Sequence, residues 1–481
     1  MKMLLINPPV RSGKKSGLFP SGLGYIASSL MEEGHQVKVL DINAYKYSEQ
    51  ELLHHLQEEE FDAAGITSII TGYGYVKWLS SELKKLKSVP IIAGGLGPTS
   101  FPEMFLKNTD VDIIVDGEGE VTIKELLECI EHQKPIGSVR GIWYKKNNTV
   151  HRTGDRELIE NLDALPFPAW EKFPMNVYLT NPISQRVEKF YGGRPYKNMG
   201  ISTIRGCPYR CTFCYHCFQG KKIRFRSPQS IIDEILMLKE KYGVEYMGFF
   251  DDLFLSDRKR VFEFCEKLEE QKIDINWGVC SRVNLVDREI LEAVRAAGCI
   301  YMTYGFESGS QKILDIMKKC ATVDQAKNAI RLCREVGIEV DGSFIIGMVG
   351  ETKQTVEETI SFCKETDFVG ATFFATPLPG TTLYDQAKAM GLIPDEEAYI
   401  LKMGEFAEKP IVNLTSMSME ELTGLQNHIS GELLKHYLKK PKKIWGYATG
   451  LLKDQGFLFF MKRVIKYLPM LIRLDRKRDK E

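Results

Sequence analysis

Arg205-Gly206-Cys207-Pro208-Tyr209-Arg210-Cys211-Thr212-Phe213-Cys214 places three thiols within eight residues, separated by three and then two others. Thiolates are soft ligands that suit an iron–sulfur cluster or zinc. A closed zinc site needs a fourth ligand, which His216 or Cys217 could supply. An iron–sulfur cluster on three cysteines leaves one iron open to a further ligand. Spacing alone leaves both readings standing.

The sequence around this run sets its context. An apolar stretch at 200–204 leads into it, and further strand-like stretches follow at 246–251, 276–280, 301–306, 341–346 and 371–375. Each is succeeded by a segment of helical length. Six βα units in succession predict a partial (β/α)6 TIM-like barrel with its chemistry at the carboxyl ends of the strands. Upstream, strand-like stretches at 2–7, 36–43, 63–70, 89–95 and 112–116 alternate with helical segments. That spacing predicts an N-terminal doubly wound, Rossmann-like parallel sheet, which binds ligands beyond its carboxyl edge. Four loops on that edge are rich in Gly and Pro and contain Pro9, Gly72, Tyr73, Gly94, Gly95, Gly117 and Glu118. One such loop needs only to make a turn, whereas four suit a long ligand lying against bare backbone. No G-x-G-x-x-G follows the first strand, so a dinucleotide fingerprint is not supported. The expected organisation is 1–135 for the sheet, 136–195 for a connection, 196–395 for the barrel and 396–481 for a helical extension.

Composition narrows the class. The 481 residues are 43% hydrophobic and 27% charged, a globular mix rather than a disordered one. Lys+Arg and Asp+Glu both number 64, so no overall basic field exists for nucleic acid. No run approaches the ~20 apolar residues of a membrane span, and the first residues lack a signal-peptide pattern. The expectation is a cytoplasmic protein whose eleven cysteines serve metal or redox chemistry rather than disulfides.

Cys-x3-Cys-x2-Cys with an aromatic before the last Cys, after the first strand of a six-unit barrel, resembles the radical SAM superfamily. The resemblance implies that Cys207, Cys211 and Cys214 hold a 4Fe–4S cluster whose open iron chelates S-adenosylmethionine, which is then cleaved to a 5′-deoxyadenosyl radical. It places Phe213 beside the adenine and Cys217 as a bystander. It also assigns Asp251 and Asp252, after Gly248-Phe249-Phe250, to the methionine ammonium, although carboxylates there also suit a helix N-terminus. Arg282 would fork a carboxylate or serve a structural ion pair, and Glu307 and Ser308 would lie near the ribose.

The Rossmann-like domain, the Leu165-Pro166-Phe167-Pro168-Ala169-Trp170 connection and the barrel together resemble the cobalamin-binding branch of that superfamily over roughly residues 1–395. The resemblance implies cobalamin between the two domains, held by the glycine-rich loops. No Asp-x-His-x-x-Gly occurs, so no imidazole of that motif ligates cobalt; His35 reads as a helix C-terminal residue. The implied activity is radical C-methylation of an unactivated carbon in a small molecule, lipid or natural-product intermediate. An oxidative cyclase or rearrangement enzyme is the alternative, and a non-enzymatic metal or cobalamin sensor a lesser one. A reducing partner such as flavodoxin or ferredoxin is implied, and no nucleic acid is expected.

Residues 420–438 show a helical apolar face of Leu422, Leu425, Ile429, Leu433 and Leu434. Residues 439–481 carry thirteen Lys+Arg against four Asp+Glu, so the neutral total joins an acidic body to a basic tail. Its apolar and basic stretch at 456–468 suits either a helix capping the barrel or one lying on an anionic membrane surface.

Overall fold

The computed structural model describes residues 1–9, 18–181, 184–215, 218, 220–251, 253–403 and 409–438. The first sheet contains β1 (Lys2–Asn7), β2 (Gln36–Asp41), β3 (Ala63–Thr67), β4 (Ile91–Gly94), β5 (Ile113–Val115), β6 (Ile142–Lys146) and β7 (Thr149–Arg152), in the order β2-β1-β3-β4-β5-β6-β7. The first five strands are parallel, and the β6–β7 hairpin adds antiparallel to β5. The sheet thus extends past residue 135 into what the sequence assigned to the connection. Asn147 and Asn148 sit at φ +50° and +57°, and two successive left-handed residues make the tight hairpin turn that Asn tolerates. Adjacent β1 residues face opposite ways, with Met3 and Leu5 in one buried core and Leu4 and Ile6 in the other. Both cores continue into the barrel, so the two domains share their apolar interior.

A two-stranded ribbon and a second, six-stranded sheet follow. The second sheet contains β8 (Asn198–Ile201), β11 (Tyr246–Phe249), β12 (Asn276–Ser281), β13 (Cys299–Glu307), β14 (Glu339–Ile346) and β15 (Ala371–Phe374), while β9 (Ile204–Arg205) and β10 (Arg224–Phe225) form the ribbon. The six strands are parallel and neighbour one another in chain order, as expected for a partial barrel. Local signals terminate its helices. Pro228–Tyr242 begins after Ser227, whose side chain accepts from Ser230 N, and stops at Gly243 with φ +71°. Val323–Val336 has a Thr322/Gln325 capping box and a left-handed Gly337. In β14, Val340, Gly342, Phe344 and Ile346 are buried and alternate with half-buried positions, the period-two signature of a strand with two unlike faces.

The connection seals both domains. Trp170 packs 4.2 Å from Phe19 between ring centroids, and Tyr178 donates to the Asp41 carboxylate at 2.5 Å. Further on, Arg186 pairs with Glu339 and Asp341 of β14, each at 3.3 Å, which pins the short helix Gln185–Glu188 across the amino end of the barrel. After the barrel, Glu397 accepts from Tyr73 OH at 2.6 Å and from Lys77 at 2.7 Å, docking helix Glu396–Lys402 back onto the first domain. Helix Met419–Leu438 buries Leu422, Leu425, Ile429 and Leu433 as expected; Leu434 is only half-buried, and Tyr437 completes the face. The expectations for residues 439–481 lie outside the described residues. Among the described residues, no helix is long and apolar enough to cross a membrane.

Candidate functional site

β9 and β10 pair with Arg224 opposite Arg205, so the cysteine run is a loop closed at its base by a short antiparallel ribbon. Gly206 enters that loop at φ +110°, and a Cβ there would lie 2.5 Å from Lys222 O. The loop folds back through Gly220 N to Cys207 O at 2.6 Å. It is tied to the barrel by Thr212 N to Met317 O at 2.9 Å and Leu383 N to Thr212 O at 2.8 Å. Cys211 is buried, while Cys207 and Cys214 are half-buried. Among the described residues, ten cysteines are thiols in no disulfide. The loop therefore presents three soft donors, the set a 4Fe–4S cluster with one open iron requires. No three His, Cys, Asp or Glu side chains among the described residues are already closed to metal-ligating distance.

Beneath this loop lies a cavity of about 480 Å³. It runs from the carboxyl edge of the first sheet down one sheet face, between Met3, Leu5 and Ile92 and the helix Ser21–Glu32. Ser202, Arg205 and Phe218 line its barrel side, so one space touches both domains. Of the residues assigned from sequence to the glycine-rich loops, Gly94, Gly95, Gly117 and Glu118 line it. A Cβ on Gly94 would come no nearer than 3.9 Å to any atom, and one on Gly22 would meet nothing within 4 Å. Gly95 differs: with φ +94° and Ser68 O 2.9 Å from its Cβ position, it has to be glycine for the turn itself. Bare backbone facing an apolar slot fits a large flat ligand with a tail reaching between sheet and helix, as cobalamin has. Pro9, Gly72 and Tyr73 do not line this cavity. Tyr73 is fully buried in the other core with its hydroxyl on Glu397, and a Cβ on Gly72 would lie 2.6 Å from Ser68 Oγ. That loop lies at the carboxyl edge, where Ser68 N donates to Gly94 O at 3.0 Å, but it sends the Tyr73 hydroxyl to the post-barrel helix. His35, at the opposite, amino-terminal edge beside the Met1 amino group, lies away from the cavity.

Glu118 lines the cavity but spends its carboxylate on arginines. It accepts from Arg205 Nη1 at 2.8 Å, from Arg224 Nη1 at 2.8 Å on both oxygens, and from Ile159 N at 2.8 Å. Glu120 takes the other arm of Arg205 at 2.6 Å. Burial alone would raise the Glu118 carboxyl; the Arg224 and Arg205 hydrogen bonds outweigh it and hold it below the usual range. The two arginines flank the cysteine loop on β9 and β10, so the first domain grips that loop at its base. Sequence reading missed both arginines, although a cation on each side of the cysteine run was visible.

Several residues expected at S-adenosylmethionine are committed within the chain. Asp251 is buried and accepts from Thr203 N at 2.8 Å, Ile204 N at 3.1 Å, Ser202 Oγ at 3.1 Å and the Thr203 hydroxyl. It fixes the backbone leading into β9, with its acceptor positions already used. Burial raises its carboxyl against those hydrogen bonds. Asp252, with His216 and Cys217, lies outside the described residues. Glu307 adopts φ +62° and pairs with Lys319 at 2.7 Å, both buried. Sequence reading overlooked Lys319, whose ammonium stands 6.0 Å from the centroid of the Phe213 ring. Ser308 accepts from Ser310 N at 3.1 Å and contacts Thr359 Oγ1 at 3.3 Å, a turn-forming arrangement. Arg282 turns its guanidinium onto the cysteine loop itself, 3.6 Å above the Tyr209 ring centroid.

Comparison with known proteins agrees with this geometry. Residues 201–363 match the model of the radical SAM superfamily, and residues 15–127 match that of the B12 binding domain. An uncharacterized methyltransferase of Pyrococcus horikoshii is 32% identical over 477 residues, covering 97% of this chain and 98% of its own. The anaerobic magnesium-protoporphyrin IX monomethyl ester cyclase of Rubrivivax gelatinosus is 28% identical, covering 94% of this chain and 82% of its own. In fold, the chain resembles the radical S-adenosylmethionine methyltransferase TsrM of Kitasatospora setae, solved with cobalamin and a [4Fe-4S] cluster. The TM-score is 0.66 at 22% identity, with 80% of this chain and 75% of that one covered. With a cysteine loop set over a glycine-lined cavity and a full-length relative at this identity, the chain belongs to the cobalamin-binding radical SAM family, whose cofactors are a 4Fe–4S cluster, S-adenosylmethionine and cobalamin.

Proposed function

We propose that the protein is a cobalamin-dependent radical C-methyltransferase acting on an unactivated carbon of a small molecule. The observation that carries this reading is a cavity bounded by both the glycine edge of the first sheet and the ribbon of the cysteine loop. When bound, the cluster with S-adenosylmethionine supplies a carbon-centred radical, and cobalamin supplies a methyl group.

The chain's own task is placement. Cys207, Cys211 and Cys214 are the proposed cluster ligands, and Phe213 of the same loop has the Lys319 ammonium 6.0 Å from its ring centroid. Gly94, Gly95 and Gly117 would let a corrin approach the backbone, and Met3, Leu5 and Ile92 would form the apolar floor of its slot. The Glu118 carboxylate and its two arginines hold the cysteine loop against the first domain. Electrons come from an external one-electron donor such as flavodoxin or ferredoxin.

Anaerobic incubation of the reconstituted enzyme, loaded with reduced cobalamin, with methyl-labelled S-adenosylmethionine tests the proposal. Label moving onto the corrin, and then into an added acceptor with formation of 5′-deoxyadenosine, is the expected result. Deoxyadenosine formation with no label leaving S-adenosylmethionine would replace methylation by cyclisation or rearrangement, the chemistry named for the Rubrivivax relative.

A further inference from the structure

We infer that Arg282 is a positioning residue for the cluster, donating an N–H···S hydrogen bond to Cys211 that raises the cluster's reduction potential. The inference rests on the three-cysteine cluster and not on methyl transfer.

Arg282 directly follows β12 and is buried. Its Nη1 lies 3.8 Å from Cys211 Sγ, within hydrogen-bonding range for a sulfur acceptor. Its Nη2 donates to Lys319 O and, at 3.5 Å, to Cys320 O. Its Nε donates to Asn284 Oδ1 at 3.4 Å. A guanidinium has five N–H donors, and these contacts use four of them. A carboxylate fork needs two adjacent donors on one edge, and no such edge remains. The face of the group is covered too, since Tyr209 lies under it with its own hydroxyl held by Asn284 Nδ2 at 3.2 Å.

The surroundings are built for this arrangement. Lys318 and Cys320 take φ +53° and +51°, a conformation non-glycine residues rarely adopt. The winding turns the carbonyls of Lys319 and Cys320 toward Arg282 while the Lys319 side chain leaves for Glu307. Met317, one residue before this turn, receives Thr212 N of the cysteine loop. The turn and Arg282 therefore grip the loop on both sides of Cys211. Of the three thiols, Cys211 is the buried one, where a cation's field is least screened by water. A hydrogen bond and a positive charge at a ligand sulfur stabilise the added electron, and both are recognised levers on cluster potential.

The test is an EPR-monitored redox titration of reconstituted holoenzyme, without acceptor substrate, for wild type, Arg282→Gln and Arg331→Gln, the last removing an exposed arginine of helix Val323–Val336 that pairs with Glu335. Arg282→Gln should hold about four irons and show a roughly tenfold lower ratio of reduced to oxidised cluster at a fixed potential, a shift of about 59 mV for one electron. Arg331→Gln should leave the potential unchanged. S-adenosylmethionine should still alter the EPR signal of Arg282→Gln. An unchanged potential in Arg282→Gln overturns the inference, and loss of the S-adenosylmethionine response alongside it would assign Arg282 to the methionine carboxylate. Arg282→Gln could also fail to retain iron. Wild-type enzyme carrying ¹⁵N in its arginine guanidino groups is therefore measured by pulsed EPR. A ¹⁵N coupling to the reduced cluster is expected, and its absence overturns the inference without any variant.

Discussion

Glu118 and Arg224 meet at 2.8 Å across the boundary between the two domains, with side chains only 4% and 2% exposed. One residue belongs to a loop that lines the cavity, the other to the ribbon that closes the cysteine loop. The pair ties the first sheet's edge to the base of the proposed cluster site.

Removing one partner should therefore cost more than a surface ion pair. Glu118→Ala leaves Arg224 buried without its charge partner, and a loss of about 3–5 kcal/mol is expected by denaturant titration. A Glu118→Leu/Arg224→Met double variant should recover part of it, because both desolvation costs disappear together. The folded Glu118 carboxyl lies below its unfolded value. The clamp's contribution is therefore complete above the ordinary glutamate range and is lost as pH falls through the folded value. Wild type should lose stability on acidification more steeply than the double variant.

Gly94→Val should separate the two cofactors. Its Cβ position has room, so the fold tolerates the change, but the side chain occupies the cavity's edge. Corrin absorbance after reconstitution should fall at least about tenfold while iron content stays near four per chain. Equal corrin retention would remove Gly94 from the cobalamin site.

Glu351, which accepts from Gly347 N just after β14, offers a pH-dependent stability test. Burial pushes its carboxyl up to about 7, only partly opposed by the Gly347 and Met348 amides. The unfolded chain loses this proton near 4.5 while the folded chain keeps it, so stability falls as pH rises between those values. Glu351→Gln should gain on wild type across that interval, by about 3 kcal/mol at most. Melting temperatures at about pH 5 and pH 8 would show it; a gap that does not widen would contradict the assignment.

Replacing Cys207, Cys211 or Cys214 singly with Ala should abolish the iron–sulfur absorbance and reductive cleavage of S-adenosylmethionine. Cys320→Ser should leave both intact, since Cys320 is exposed and lies outside the loop. Iron analysis of the four proteins is the measurement.

The strands, the cysteine loop and the glycine edge were legible because their signals are local. Period-two burial, Cys-x3-Cys-x2-Cys and glycines at strand ends each depend on a few neighbouring residues. The β6–β7 hairpin was equally local, carried by Asn147-Asn148, and went unread. The partners of the charged and polar groups were of a different kind. Glu118 and Arg224 stand 106 positions apart in the chain, Tyr73 and Glu397 324 apart, and Asp251 reaches back 48 positions to Thr203. A carboxylate on a sheet edge suits an ammonium, a metal or an arginine equally well in sequence. Which one it meets is decided when two domains pack, since burial makes an unmet charge too costly to keep. The sequence by itself determined the two α/β domains and the ligand-bearing cysteine loop. Only the tertiary structure decided that Glu118 clamps that loop, that Asp251 braces its approach, and that Arg282 faces Cys211.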